Sequence, residues 1–298
     1  MHTKPDPTVT IVGPGRVGQA MGRLLVEAGV PIKYVAGQKT ARARHAASFV
    51  GGAAGLSLKD RRAADVDVIL ITTSDTALSE VAEQIAQYRK DWSGRMVIHT
   101  CGSLPASVLE PFRKRGASVA SMHPYQTVPD AFTGVRSLPG SFWALEGDPE
   151  AVELARRWVA RLNGIVFDMR PENKPLYHLS AFLVCPTVVT LMDCSERLLE
   201  KSGVPRKYAR QMLGKIVSET ARNFVDLGTR RSLTGPALRG DWATLERHVT
   251  QLKREAPEVI PAYIELVDLM LRVAGVKSEQ RHLVESLRSP GGPARSKE

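Results

Sequence analysis

The segment Gly13-Pro14-Gly15-Arg16-Val17-Gly18 constrains this chain more than any other. It follows Val9–Val12, a short β-branched run of strand type, and leads into a helical pattern from Val17 to Ala28 that stops at Gly29. A strand that turns through glycines straight into a helix opens a βαβ unit, and each glycine has its own task there. Gly13 permits the tight turn, Gly15 lets another group approach the backbone, and Gly18 lets the helix pack closely on the strand. The helix start then presents unpaired N–H groups and a positive dipole end, which together favour phosphate.

The alternation continues through residue 170. Strand patterns recur at Ile32–Ala36, Val66–Thr72, Met96–Thr100, Ser118–Met122, Phe142–Glu146 and Ile165–Met169, with a short one at Ala53–Leu56. Helical patterns lie between them at Thr40–Phe49, Thr76–Gln87, Pro105–Arg115 and Pro149–Leu162. This order implies an α/β fold, a doubly wound domain over residues 1–170 with a parallel sheet covered on both faces. After Arg170 the strand signals stop. Helical segments follow at Lys174–Lys201, Pro205–Leu227, Asp241–Glu255 and Glu258–Ala274, with a shorter one at Ser278–Leu287. They predict an all-α domain over residues 171–288, and the Pro/Gly-rich tail 289–298 is expected to be mobile. The apolar stretch Leu176–Met192 is short for a membrane span and contains His178, Ser180, Pro186, Thr187 and Thr190, so it reads as a buried helix.

Composition narrows the class. Of 298 residues, 43% are hydrophobic and 24% charged, which excludes a disordered or fibrous chain and suits two globular domains. The three cysteines, Cys101, Cys185 and Cys194, imply no disulfide framework and have no zinc-site spacing. No metal is expected, and a reducing compartment, the cytoplasm, is. Met1–Thr8 is polar with two prolines, unlike a signal peptide. The net charge of +10 is spread evenly: residues 1–170 hold 21 Lys+Arg against 16 Asp+Glu, and residues 171–298 hold 20 against 15. Nucleic-acid binders concentrate such charge on one face, so no nucleic-acid partner is expected, whereas an anionic ligand is.

A dinucleotide is the ligand this glycine loop predicts. An acidic residue at the end of the second strand would hold an NAD ribose. Here that strand runs into Gly37-Gln38-Lys39-Thr40, and no acidic residue occurs between Glu27 and Asp60. Lys39 and Arg42 can neutralise a 2′-phosphate, Thr40 can hydrogen-bond it, and Arg16 lies within the loop itself, so NADP(H) is expected over NAD(H). Thr72-Thr73-Ser74 ends the next strand, where small residues let a cofactor pass close to the backbone. Asp75 reads as the N-cap of the following helix. Cys101-Gly102 ends the strand after that and should border the nicotinamide, with Cys101 as a small pocket residue rather than a nucleophile.

Reduction of a carbonyl or imine requires a group that stabilises or protonates the developing anion. Lys174 and His178 share a helix face at i and i+4, and Tyr177 sits beside them. His123 and Gln126 follow a strand at its carboxyl edge, while His99, inside a strand, reads as a core histidine. The turn Leu233–Asp241 contributes Thr234 and Arg239 as anion-binding candidates, with Asp241 a helix N-cap.

Six segments carry a family resemblance: IVGPGRVGQAMGRLL (11–25), DVILITTSD (67–75), HTCGSL (99–104), MHPYQT (122–127), KPLYHLSA (174–181) and LTGPALRGD (233–241). In their order the chain resembles bacterial oxidoreductase-like proteins that join a Rossmann-like NADP-binding domain to a helical domain, DUF2520. The resemblance implies a second domain of the 6-phosphogluconate dehydrogenase C-terminal type, relatives among ketopantoate and pyrroline-5-carboxylate reductases, and frequent dimerisation. It also implies that Lys174 occupies the position of their catalytic or substrate-binding lysine. One position departs from it: Pro186 stands where the family commonly has Asn, removing an amide and predicting a kink.

The resulting expectation is an NADP(H)-dependent oxidoreductase acting on a small anionic carbonyl or imine in an interdomain cleft. Lys174 would be proton donor or anchor, helped by His178 and His123, with Gln126, Tyr177, Thr234 and Arg239 toward substrate. The alternative is a non-catalytic NADP(H)-binding sensor or interaction protein on the same scaffold. Apolar positions on more than one face of Val188–Leu199 and Val259–Val273 predict a homodimer through the helical domain.

Overall fold

In a computed structural model that describes residues 6–276, 284–285 and 287–288, the strands are β1 Val9–Val12, β2 Ile32–Gly37, β3 Ala54–Ser57, β4 Val68–Ile71, β5 Met96–His99, β6 Ser118–Pro124, β7 Phe142–Gly147 and β8 Ile165–Asp168. The helices are α1 Arg16–Glu27, α2 Thr40–Val50, α3 Asp75–Ala86, α4 Glu110–Arg113, α5 Ala131–Ser137, α6 Pro149–Arg161, α7 Lys174–Lys201, α8 Arg206–Leu227, α9 Thr229–Ser232, α10 Trp242–Glu255 and α11 Ile260–Val273. One sheet has the order β3-β2-β1-β4-β5-β6-β7-β8, so the chain reverses its winding between β1 and β4. That reversal leaves a crevice beyond the carboxyl ends of those strands, the place where such sheets bind ligands.

Strands β1 to β6 pair in parallel, with Val12 opposite Ala36 on one side and Ile71 on the other. Their apolar runs are continuous because both faces are covered. Val9 and Ile11 pack in one core with Val68 and Leu70, while Val12 packs in the other with Ile69 and Ile71, following the two-residue alternation of a strand. The parallel expectation fails at one edge: β7 runs antiparallel to β6, with Pro124 opposite Trp143, and β8 is then parallel to β7. Residues 125–141, which contain α5, connect β6 to β7 and return the chain antiparallel. Helix α5 is not among the helices expected from the sequence. Asp130 starts it, its Oδ1 accepting from the Thr133 N–H at 2.8 Å. The helix expected over Pro105–Arg115 is a 3-10 turn, Ala106–Leu109, followed by α4, since Pro111 has no N–H to continue a regular ladder.

Contacts divide the chain into two units, residues 1–185 and 186–298, with the division inside α7 at Pro186. The first turns of α7 belong to the sheet unit. The expectation of a buried helix over Leu176–Met192 is not met. Leu176 is 70% exposed and Val189 67%, and Phe182, Leu183 and Val184 are exposed as well. Periodicity reports that side chains are apolar but not whether anything covers them. Among the described residues, α7 is also the one helix long and apolar enough to cross a membrane by length and composition. In residues 186–298, Leu245 and Val249 of α10 pack with Ile264, Val267 and Leu271 of α11. Asp241 caps α10 as expected, accepting from the Thr244 N–H at 3.1 Å. Most of the segment Ser278–Leu287 and all of the tail 289–298 lie outside the described residues.

Candidate functional site

The loop after β1 is a cradle that side chains would fill. Gly13 has φ +109°, and a Cβ on it would lie 2.8 Å from the Thr72 carbonyl carbon and the Thr73 nitrogen. A Cβ on Gly18 would lie 2.3 Å from the Gly13 oxygen and 2.4 Å from Thr72 Oγ1. Thr72 spends its hydroxyl locking the loop, donating to the Gly13 oxygen at 2.8 Å. Gly15 differs from both: nothing lies within 4 Å of its Cβ position, so this side of the cradle is open. A cavity of about 390 Å³ adjoins it, lined by Gly13, Pro14, Gly15, Gln38, Lys39, Arg42, Thr72, Thr73 and Ser74. Arg16 and Val17 begin α1 beside it, and Thr40 begins α2. Thr73 Oγ1 is buried and has no hydrogen-bond partner among the described residues. An open glycine at a helix start, an orphaned hydroxyl and exposed Lys39 and Arg42 together fit a phosphate-rich dinucleotide. Gly37, named above only as the end of the second strand and not among the expected cofactor residues, has its Cβ position 2.6 Å from the Pro14 ring. A glycine ending β2 was the available signal.

The second cluster sits at the carboxyl ends of β4, β5 and β6. His123 Nδ1 and the Tyr177 hydroxyl are 3.0 Å apart, and the His123 and His178 rings are 6.2 Å apart between centroids. Gly102 makes that approach possible: a Cβ there would lie 2.6 Å from His123 Nε2 and 2.8 Å from His178 Cδ2. Tyr125 packs against Tyr177 with ring centroids 5.2 Å apart, and its hydroxyl meets Ser180 Oγ at 3.0 Å. Cys101 is buried, and burial pushes its thiol pKa up. Asp75 corrects an expectation. Ser74 is the N-cap of α3, while Asp75 accepts from Ser103 Oγ at 2.6 Å. Burial raises its carboxyl, but the hydrogen bonds from Ser103 and Cys101 outweigh that and hold it below the usual range.

Lys174 is fully buried. Its Nζ donates to Ser121 Oγ at 2.6 Å and to the Cys101 oxygen at 3.2 Å, with Glu146 Oε1 3.9 Å away. Glu146 Oε1 also accepts from the Ala106 N–H at 2.6 Å. Ser121 and Glu146 are not among the site residues expected from the sequence, although an acid ending the apolar run Phe142–Glu146 is a signal. Gln126 is engaged in its own loop, donating to the Ser137 oxygen at 3.2 Å. Thr234 and Arg239 are exposed residues of unit 186–298, around the turn before α10.

His99 and His123 are held neutral. Burial, then the Lys174 charge, pushes each down to about 3. Burial raises the Tyr177 hydroxyl, so it too stays neutral. The histidines set a pH dependence. Below about 6.5 the unfolded chain binds protons that the folded chain refuses until about 3, so stability falls as pH drops through that window. The expected slope is about 1.4 kcal/mol per pH unit for each histidine. Thermal melts between pH 7.5 and 5 should show it, with part of the slope lost in His123→Gln. A flat profile would mean that both rings are hydrated.

A model described as a Rossmann-like domain matches residues 3–124, and one described as a domain of unknown function, DUF2520, matches residues 141–269. The chain is a Rossmann-like domain joined to a DUF2520 domain. No curated protein matches it. Among solved structures, a candidate NADP oxidoreductase from Bacteroides fragilis aligns with TM-score 0.73 at 22% identity, over 92% of this chain and 99% of its own. A pyrroline-5-carboxylate reductase from Coxiella burnetii aligns with TM-score 0.57 at 15% identity, over 94% of this chain and 97% of its own. A reductive aminase from Aspergillus terreus, in complex with NADPH and ethyl-5-oxohexanoate, aligns with TM-score 0.56 at 17% identity, over 96% and 95%. At these identities the likeness establishes that this Rossmann–DUF2520 chain shares their fold.

Proposed function

We propose that this Rossmann–DUF2520 protein is an NADP(H)-dependent oxidoreductase that acts on a small anionic carbonyl or imine compound. The observation that carries the reading is the cradle open at Gly15 and closed at Gly13 and Gly18, with two exposed cations where a ribose-binding acid would stand. Gly13, Gly15 and Thr73 would hold the pyrophosphate, and Lys39 and Arg42, with Gln38 and Thr40 beside them, the 2′-phosphate. The cofactor, when bound, supplies or accepts a hydride. His123, Tyr177 and His178 stand at the same sheet edge, where a neutral hydrogen-bond donor can stabilise charge developing on a carbonyl oxygen or imine nitrogen. Solved neighbours include proteins described as an NADP oxidoreductase, a pyrroline-5-carboxylate reductase and an NADPH-bound reductive aminase, which supports this reaction class.

Lys39→Ala with Arg42→Ala should weaken NADPH binding by about a hundredfold and leave NADH binding unchanged, because two charge-assisted contacts are lost. Equal affinity of the unaltered protein for NADH and NADPH would refute the assignment. Steady loss of NADPH fluorescence with a member of a panel of 2-oxo acids and cyclic imines marks an enzyme, whereas a single change on mixing marks a sensor. The exposed apolar residues of α7 and α8, among them Val189, Met212, Ile216 and Phe224, support a homodimer, which sedimentation equilibrium measures. Three free cysteines are in keeping with a cytoplasmic setting.

A further inference from the structure

Lys174 is the first residue of α7, and three strands converge on its ammonium group. The Cys101 carbonyl comes from the end of β5, Ser121 Oγ from β6, and Glu146 from β7. None of its side chain is exposed, so it offers no hydrogen to a ligand in the crevice. Tyr177 and His178 follow one turn later on the same helix, and both are partly open. We propose that Lys174 and Glu146 form a buried latch that sets the register of α7 on the sheet, bringing Tyr177 and His178 against His123 across Gly102. Lys174 is then a positioning residue, and the groups that meet substrate are those it places.

Three observations support the latch. A lysine and a glutamate are rarely both buried unless each answers the other's charge, and here the remaining polar partners are also hydrogen-bonded. Second, the polar partners of the ammonium come from strands adjacent in the sheet, so a shift of α7 by one turn would break all of them together. Third, burial and then the neighbouring Lys174 ammonium disfavour an imidazolium at His123, so the 3.0 Å His123–Tyr177 hydrogen bond stays neutral. Burial also pushes the Lys174 pKa down and the Glu146 pKa up, and each charge opposes that shift at the other. The other groups facing His123 are His178 from α7 and Asp75 from α3.

The functional consequence rests on the oxidoreductase reading, but the latch itself does not. The test therefore begins with the full-length protein without cofactor, as Lys174→Met, Glu146→Gln and the double Lys174→Met/Glu146→Gln, in which the amide oxygen at position 146 can still accept from the Ala106 N–H. Each single variant leaves a buried charge or polar group unanswered and should lower the unfolding midpoint by about 10 °C. The double variant should recover at least half of that loss, because no orphan charge remains. His123, followed by its ring NMR signal, should titrate nearer its ordinary value in Lys174→Met and stay neutral in Glu146→Gln. With a substrate from the panel, Lys174→Met should lose about a hundredfold in turnover, and the double variant should regain much of it. Additive loss of stability in the double variant would overturn the latch. Recovered stability with no recovery of turnover would make Lys174 itself the proton donor. A protein that binds no NADPH but shows the stability cycle and the His123 shift would keep the latch and refute the cofactor assignment instead.

Discussion

A Gly15→Val chain is expected to unfold at the temperature of the unaltered protein and to bind NADPH about a hundredfold more weakly. The two halves of that result have separate causes. Gly15 caps α1 with φ −84° and ψ −172°, an extended conformation open to any residue, and its Cβ position meets nothing within 4 Å. The fold therefore has room for the side chain. A pyrophosphate does not, because it must approach this backbone closely to use the N–H groups at the helix start. Gly18→Ala is the contrast. Its Cβ would stand 2.3 Å from the Gly13 oxygen, so that chain should lose stability whether or not a ligand is present. Isothermal titration with NADPH beside thermal melts separates the two. Unchanged NADPH affinity in Gly15→Val would remove the loop from the binding site.

Gly102→Ala should reduce turnover by about a hundredfold with only a few-fold change in NADPH affinity. The added methyl would lie 2.6 Å from His123 Nε2 and 2.8 Å from His178 Cδ2, so one ring or both must swing away. His123 then leaves the Tyr177 hydroxyl, now 3.0 Å from its Nδ1, and the neutral donor arrangement is lost. The backbone at Gly102 has no left-handed φ, so the substitution acts through the rings rather than through strain in the turn. Steady-state rates and direct NADPH titration of the same preparation measure both quantities. Unchanged turnover would exclude His123 and His178 from the reaction.

Much of the cofactor cradle was legible in residues 9–42, because its evidence is local. A β-branched run, three spaced glycines, a helix and a second strand lacking a terminal acid can be read within one βαβ unit. Lys174, Tyr177, His178 and His123 were also singled out, by i,i+4 spacing and by position after a strand, but their mutual arrangement was not. Nothing near Lys174 in sequence announces Glu146 or Ser121. Asp75 looked like an N-cap because its neighbours suit one, whereas its partner Ser103 lies across the sheet edge. The apolar helix Leu176–Met192 misled in the other direction: its composition matches a core element, yet much of its surface is uncovered.

By itself, then, the chain determined what short-range physics can determine: the order and type of most elements, the glycine cradle and the missing acid after β2. Tertiary structure decided the reversal of β7, the burial of Lys174 beside Glu146 and the meeting of His123 with Tyr177. The first group depends on φ/ψ freedom and on periods of two and 3.6 residues, which neighbouring residues settle among themselves. The second depends on which distant surfaces come to share one low-dielectric volume, and only there do a charge and its partner have to find each other.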